Sequence, residues 1–363
     1  PAEPKRGRRR RPLTDWSDTM TLMILLAALA IVICAGPLGI LATHAVGRAD
    51  LLGAFEEFNL QDQEGGFVAD QVFPDIGVPD DAANFPAVTR ESGTNLEANI
   101  KIGIDGKYPT MTFSTRDKAY ACEEYGVRVR LADKQVVKLS EQYGIPVDEV
   151  AGRIVWHQVR LQYEKRVADI AFDPVVNFTA GQGNYSDVSS SAPWTTTTSD
   201  VLGTIQAAQE ARYGATGMVP MDLLVNYTNF NRLLRNTTVR DMVGDARDKT
   251  VQAIAGMLAP GLGLRKIHVG RAVYNATPFP GPFVGTKLYS NLYALVFLNN
   301  EDRNLVAPRL GITCRWLKDS PQIVVLDEYR DEETRSDCIR ARHNIDELLL
   351  DNQFGHLVKV AAS

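Results

Sequence analysis

The sequence has few cysteines and histidines, and their spacing matches no common metal or disulfide framework. Its 363 residues include four cysteines, Cys34, Cys122, Cys314 and Cys338, with no CxxC pair among them. This spacing argues against a disulfide scaffold or a zinc module and predicts reduced, mostly buried thiols. The histidines are equally scattered, at His44, His157, His268, His343 and His356.

Motifs of nucleophilic, metal-dependent and phosphate-binding enzymes are also missing, since the sequence contains no GxSxG, HExxH or Walker A pattern. The glycine-rich AGQG at 180–183 follows no predicted buried strand, so it does not predict a phosphate cradle. Glu123-Glu124 is expected at a surface or interface, because a catalytic carboxylate needs a setting that shifts its pKa. We therefore predict a protein that is not an enzyme and uses no cofactor.

Charge is distributed unevenly along a chain of ordinary globular composition, 45% hydrophobic and 23% charged. The formal net charge is −5, but residues 1–11 carry +5, which leaves −10 on the other 352 residues. We call residues 1–11 the basic tip. Such an asymmetry predicts that tip and body face different neighbours. The basic residues of the tip are Lys5, Arg6, Arg8, Arg9, Arg10 and Arg11.

A long apolar segment follows the basic tip, because residues 20–43 contain no charge. About 20 apolar residues span a bilayer, and the preceding basic run fits a positive-inside signal anchor. Gly36-Pro37 interrupts the segment and would break or kink a helix there. An arm buried against neighbouring subunits is the alternative, since so much apolar surface has to be covered.

The next part of the sequence predicts extended chain and a hairpin. Pro74, Pro79 and Pro86 follow one another closely, which prevents continuous helix or central strand. Asp105-Gly106 stands between two strand-like runs and predicts a hairpin within 87–121. A hairpin of this size is not stable alone in water, so we expect it to lie on a partner.

A helix of about 40 Å is predicted over 146–172, with Pro146 in its first turn. Arg160/Glu164 and Lys165/Asp169 are interpreted as i,i+4 ion pairs on its exposed face. The buried face is predicted to consist of two adjacent apolar stripes. These are Val147, Val150, Ile154 and Leu161, and beside them Val155, Val159, Tyr163, Val167 and Ile170.

Helices and strands then alternate, beginning with a helix capped by Ser199 or Asp200 and ending at Gly214 or Gly217. From Gly311 the pattern changes to long strands, and the fold class is predicted to be α+β. A cluster of charged residues is expected to be solvated at a hairpin tip or sheet edge. Its members are Asp327, Glu328, Arg330, Asp331, Glu332, Glu333 and Arg335.

The order of these features resembles a tailed-bacteriophage major capsid protein of the Hong Kong ninety-seven type. The segments that carry the resemblance are FVADQVFPDIGVP (67–79), AYACEEYGVRVRLAD (119–133), PWTTTTSDVLGTIQAAQEA (193–211) and GLRKIHVGRAVYNA (263–276), with the long helix between them. An encapsulin-like compartment shell is a related interpretation that uses the same fold. Segment 20–43 departs from the family pattern.

The resemblance implies an N-terminal arm, an extended loop, a peripheral domain built on a long spine helix and long strands, and an axial domain. The implied ranges are 1–85 for the arm, 86–121 for the extended loop, 122–197 for the peripheral domain with its spine helix at 146–172, 198–305 for the axial domain, and 306–363 for the return strands and C-terminus.

The implied function is that of a structural major capsid protein. Such a protein assembles as hexamers and pentamers into an icosahedral head that encloses double-stranded DNA, with the tip residues 5–11 facing the genome. Scaffold, portal and decoration proteins are further implied partners, and the implied location is the virion capsid, with assembly in the host cytoplasm. Segment 20–43 would then pack along a neighbouring subunit rather than contact a membrane.

Two alternatives remain. The first is a membrane-anchored extracytoplasmic assembly or binding protein with a signal anchor at 20–43, and the second is a hydrolase whose pocket the sequence does not show.

Some family members also join the extended loop to a neighbour by a Lys–Asn isopeptide bond. Lysines are common in exposed loops, so no such bond is expected here. The residues concerned are Lys101, Lys107, Lys118, Asn344 and Asn352.

Overall fold

The computed structural model describes residues 66–88, 114–143, 147–243, 250–277, 281–282, 284–300 and 307–362. The basic tip, segment 20–43 and the predicted turn at Asp105-Gly106 lie outside these ranges. Over the ranges given, no helix combines the length and the apolar character needed to cross a bilayer.

The elements follow one another as a mixture of helices and strands. The helices are α1 (Ala69–Val72), α2 (Asp133–Tyr143), α3 (Val147–Ala171), α4 (Val201–Thr216), α5 (Tyr227–Arg235), α6 (Thr237–Val243) and α7 (Val251–Gly261). The strands are β1 (Asp75–Val78), β2 (Ala82–Val88), β3 (Thr115–Ala121), β4 (Glu123–Ala132), β5 (Tyr185–Asp187), β6 (Asp222–Asn226), β7 (Lys266–Gly270), β8 (Val273–Asn275), β9 (Gly285–Lys287), β10 (Tyr293–Phe297), β11 (Gly311–Trp316), β12 (Val325–Asp331), β13 (Ser336–Leu349) and β14 (Gly355–Lys359).

The first sheet is organised around β13, which is 14 residues long. Its order is β1-β11-β13-β12, and β4 also pairs with β13. β1 runs parallel to β11, whereas β11, β12 and β4 are antiparallel to β13. The sheet therefore joins segments from both ends of the described chain.

Helix α3 packs against this sheet and matches the helix predicted over 146–172 within one residue at each end. The stripe containing Val155, Val159 and Tyr163 is buried as predicted. The predicted burial of the neighbouring stripe is wrong in part, because Val150 and Ile154 are exposed. Val147 of the same stripe is nevertheless buried in the core between α3 and the first sheet, and Leu161 is partly buried.

The second sheet has the order β5-β14-β10-β6-β7, and α4 and α7 contribute to the hydrophobic core that packs on it. The side chain of Asp200 caps α4 by accepting a hydrogen bond from the Gly203 N–H at 2.8 Å. Gly217 ends the same helix with φ 72°, a left-handed conformation that favours glycine. Both predicted ends of this helix are thus observed.

Strands β2 and β3 form a separate two-stranded ladder, in register from Ala82↔Ala121 to Val88↔Thr115. The ladder starts before the predicted hairpin range, and Pro86 lies inside it. Proline is tolerated there because each strand of a two-stranded ladder is an edge strand. Most of its described side chains are exposed, apart from Tyr120.

The predicted thiols and the predicted charge cluster have different outcomes. Cys122, Cys314 and Cys338 are free cysteines, and the last two are buried, as expected, while Cys34 lies outside the described residues. Glu332, Glu333 and Arg335 are exposed at the turn between β12 and β13, also as predicted. The prediction of a solvated side chain is wrong for Asp327, which is buried. Its Oδ2 accepts from Arg340 Nε at 3.1 Å and Arg342 Nε at 2.9 Å.

Candidate functional site

A buried carboxylate on the long helix joins three parts of the chain. Glu164 Oε1 accepts hydrogen bonds from the Val68 N–H at 2.6 Å and the Tyr289 hydroxyl at 2.7 Å. Its Oε2 accepts from the Ala69 N–H at 2.9 Å. Val68 and Ala69 belong to residues 66–74, which we call the arm segment, and Tyr289 lies between β9 and β10. Glu164 thus holds the arm segment on α3.

Burial shifts the protonation of this carboxylate. It raises the pKa of Glu164 to about 7, although the three hydrogen-bond donors and Arg160 act in the opposite direction. An ionised carboxylate is the better acceptor, so protonation of Glu164 near neutral pH weakens its hydrogen bonds to the arm segment. This corrects the prediction that Arg160 and Glu164 form a surface ion pair, because both side chains are buried.

Arg160 pairs instead with Asp70 of the arm segment. Arg160 Nη1 donates to Asp70 Oδ1 at 3.0 Å, and Nη2 donates to Oδ2 at 2.5 Å. The guanidinium also lies 5.4 Å from the Tyr163 ring centroid and 6.0 Å from that of Phe67. Burial alone would lower the pKa of Arg160, but Asp70 outweighs it and raises the pKa. The arm segment is therefore anchored by charge as well as by backbone hydrogen bonds.

A second polar junction connects α3 with the first sheet. Arg166 donates to Glu347 at 2.8 Å and to His343 Nε2 at 3.0 Å, and it stacks 3.9 Å from the Tyr125 ring centroid. Burial, followed by the charges of Arg166 and Arg160, lowers the pKa of His343 to about 3. The imidazole is therefore neutral, and its Nε2 can accept from the guanidinium.

An apolar patch is exposed where α4 leads into β6. It consists of Tyr213, Met218, Val219 and Met221, which are 39–57% exposed. The adjoining loop is fixed, because Gln209 donates to the Pro220 carbonyl at 2.9 Å and to the Gly263 carbonyl at 3.1 Å. Grouped apolar side chains on an ordered surface favour a protein contact.

The residues predicted to face a genome, Lys5, Arg6 and Arg8–Arg11, lie outside the described residues, as do Lys101 and Lys107. Asn344 is buried, and Asn352 Nδ2 donates to the Asn177 carbonyl at 3.0 Å. Within the ranges that the structure describes, no three His, Cys, Asp or Glu side chains are grouped to hold a metal ion.

Sequence reasoning missed the Glu164–Arg160–Asp70 junction altogether. The only available signal was a pair of opposite charges four residues apart on α3, next to large apolar residues. That spacing is equally typical of a solvated helix face.

No protein-family model matches the chain, and no curated protein matches its sequence. Solved structures do match, including a phage-related protein from Bordetella bronchiseptica RB50, with a TM-score of 0.62 and 17% identity over 88% of this chain and 98% of that one.

Two phage structures match over similar lengths. The capsid of cyanophage P-SCSP1u has a TM-score of 0.52 and 12% identity, over 80% of this chain and 87% of that one. A Microbacterium phage Oxtober96 structure has a TM-score of 0.50 and 12% identity, over 93% and 98%. The chain therefore has the α+β capsid fold of the Hong Kong ninety-seven type.

Proposed function

We propose that the chain is a structural major capsid protein, which assembles as hexamers and pentamers into an icosahedral head that encloses double-stranded DNA. The observation that carries this proposal is the fold shared with the cyanophage capsid over 80% of the chain. The proposed location is the virion capsid, with assembly in the host cytoplasm. The proposal includes no catalytic step and no cofactor.

The β2–β3 ladder supports an assembled state. The two strands pair with no further described strand, and only one end of the ladder, around Tyr120, Ala83 and Phe85, packs against the first sheet, so the exposed remainder has little to hold it in water. A neighbouring subunit would offset the cost of ordering them, at about 25 cal/mol per Å² of apolar surface removed from water. We therefore assign the ladder, with the chain between its strands, to a contact on a neighbouring subunit.

The unevenly charged N-terminal part has two proposed partners. The basic tip, with Lys5, Arg6 and Arg8–Arg11, would face the enclosed DNA and contact its phosphates without reading base sequence. Segment 20–43 would be covered by a neighbouring subunit, since it needs an apolar partner. Scaffold, portal and decoration proteins would be additional partners.

Particle formation tests the proposal. The chain is expressed, purified without detergent, and examined by sedimentation and negative-stain imaging. Closed particles of megadalton mass are expected. Recovery only in membrane fractions would overturn the proposal in favour of the signal-anchored alternative, and recovery only as small soluble species would overturn it without favouring that alternative.

The assigned role of the tip has its own test. A variant with all six basic tip residues changed to Gln is compared with a control variant, Lys134→Gln and Lys138→Gln on α2. The tip variant is expected to retain less nucleic acid per particle as salt is raised, because fewer phosphates are neutralised. Equal retention in both variants, or labelling of residues 5–11 on the outer face of filled particles, would contradict the role.

A further inference from the structure

Two unexplained surface features flank the second sheet. One is the turn formed by residues 173–178, which follows α3 and which we call the valine turn. The other is a cleft between α7, β7 and the arm segment, which we call the basic cleft. The valine turn takes no part in the junctions described above, whereas Phe67 and Val68 of the arm segment belong both to those junctions and to the cleft wall.

The valine turn presents two adjacent apolar side chains to solvent, since Val175 and Val176 are 77% and 71% exposed. Their backbone N–H groups donate to Asp173 Oδ1 at 2.8 and 3.1 Å. Asn177 Nδ2 donates to the Ile170 carbonyl at 3.0 Å, and Phe178 is buried. The turn is thus held in shape by its own hydrogen bonds, so a partner that binds it pays little ordering entropy.

The basic cleft can receive side chains of this size. Its volume is about 170 Å³, well above the roughly 10–15 Å³ that a cavity needs to hold one water molecule. Three basic residues line it, Arg265, Lys266 and Arg271, of which Arg265 already pairs with the buried Asp222. Apolar side chains form much of the remaining wall, from Phe67, Val68, Val251, Ala255, Ile267 and Val269, with Gly256 beside them.

The two features lie at opposite edges of the second sheet. The Asn177 carbonyl in the valine turn accepts from Asn184 Nδ2 at 3.2 Å and from Asn352 Nδ2 at 3.0 Å. Asn184 immediately precedes β5, the edge strand on that side. The cleft is lined by β7, the other edge strand. Four strand spacings, roughly 19 Å, separate these edges.

We propose that the valine turn of one subunit inserts into the basic cleft of the next subunit. The partner is therefore a second copy of this chain, and the inference rests on the proposed capsid function. The chemistry of the two surfaces is complementary, because the turn offers apolar methyl groups beside the Asp173 carboxylate. The cleft offers an apolar wall beside the basic side chains of Lys266 and Arg271.

A contact between two different patches is heterologous, and a repeated heterologous contact closes into a ring when the rotation fits. Because the turn and the cleft lie on opposite edges of one sheet, each subunit can insert its turn into one neighbour and receive the turn of another. In a closed ring such as a hexamer or a pentamer, every turn is bound and every cleft is filled.

Disulfide trapping tests the contact in assembled particles. The variant Val176→Cys/Gly256→Cys places one thiol on the turn and one beside the cleft, where an added Cβ at Gly256 meets no heavy atom within 4 Å. After oxidation, a ladder of multimers up to five or six chains is expected on a non-reducing gel. The control variant, Val176→Cys/Val137→Cys, and the chain with its native cysteines alone should remain largely monomeric.

The outcomes separate this inference from the function on which it rests. Particles that assemble, yet whose turn–cleft pair cross-links no more than the control, would overturn the contact and leave the capsid function intact. Absence of particles from the unsubstituted chain would overturn both.

A charge substitution gives a second readout. Val175→Asp/Val176→Asp is expected to reduce particle yield at least tenfold, while the circular dichroism spectrum and urea midpoint stay native. Native particle yield from this variant would contradict the contact. If the variant does not fold, the cysteine pair decides.

Discussion

Arg160 on α3 and Asp70 on α1 are 90 residues apart in the sequence and form a two-point ion pair, at 3.0 and 2.5 Å. The next turn of the same helix adds the Glu164 carboxylate, which accepts from two N–H groups of the arm segment. The helix therefore holds the arm segment by an ion pair and by backbone hydrogen bonds on successive turns.

Substitution Asp70→Asn is expected to destabilise the chain by about 2 kcal/mol. It removes the charge that compensates the buried Arg160, and the loss is moderated because Asp70 is partly exposed. Urea unfolding of the purified chain measures the effect. The control is Asp169→Asn, which breaks the exposed pair with Lys165 and should cost under about 0.5 kcal/mol. Equal losses in the free energy of unfolding would show that the Asp70–Arg160 pair stabilises the fold no more than an exposed ion pair does.

Substitution Glu164→Gln is expected to act in a pH-dependent way. Folding raises the pKa of Glu164 to about 7, so the folded chain holds this proton more tightly than the unfolded chain. The resulting stabilisation is full below about pH 4.3, the unfolded pKa, and is lost as the pH rises to about 7. The stability of the native chain relative to the variant should therefore fall over this range, by up to about 1.4 kcal/mol per pH unit, so that an advantage of about 1 kcal/mol at pH 5 reverses before pH 7.

Urea titrations of both proteins between pH 5 and pH 8 measure this difference. At pH 5 the variant should be the less stable by about 1 kcal/mol, because its amide NH2 cannot accept a hydrogen bond from the arm segment. Glu149→Gln, on the first turn of α3, is the control for removing a carboxylate from a partly exposed position of the same helix. A Glu164→Gln difference that is constant with pH would refute the assignment.

Substitution His343→Gln is expected to make the free energy of unfolding fall less as the pH is lowered. Burial lowers the pKa of His343 to about 3, so unfolding takes up a proton between about pH 3 and pH 6.5. This stabilisation is present above pH 6.5 and is lost as the pH falls towards 3. His268 and His356 act with the same sign, and Glu164 with the opposite sign.

The unfolding free energy of native chain and His343→Gln is compared between pH 4.5 and pH 7. The variant should lose less stability on acidification, by up to about 1.4 kcal/mol per pH unit, while the carbonyl oxygen of the introduced amide can still accept from Arg166. Parallel pH curves would mean that His343 is protonated equally in the folded and unfolded chain.

Substitution Val219→Asp in the exposed apolar patch is expected to prevent assembly without unfolding the subunit. A carboxylate there opposes desolvation at a subunit contact but costs under about 0.5 kcal/mol in the free chain. Particle yield by sedimentation is compared with Val137→Asp, a similarly exposed valine on α2. Similar yields from both variants would remove the patch from the assembly surface.

Local signals predicted much of the fold. The ends of α3 and α4 follow from Pro146, Asp200 and Gly217, whose effects on the backbone need no knowledge of the rest of the chain. The strand alternation from Gly311 onward likewise placed β11 to β13. Such elements depend on neighbouring residues, which a sequence displays directly.

The buried junction depends on residues that the sequence separates widely. Arg160 and Glu164 have the spacing of a surface ion pair, and only Asp70, Val68 and Ala69 make their burial favourable. Asp327 was similarly assigned to a solvated cluster, although Arg340 and Arg342 compensate its charge from the adjacent strand. Single-sequence patterns carry no information on which distant groups meet.

The long strand β13 and the short strand β14 have a consequence for synthesis on the ribosome. β13 binds β4, β11 and β12, and β14 lies between β5 and β10, so each sheet is completed only by residues after 336. A nascent or truncated chain that stops earlier leaves both sheets open at their centres. Translation order thus delays completion of both sheets until these strands have emerged.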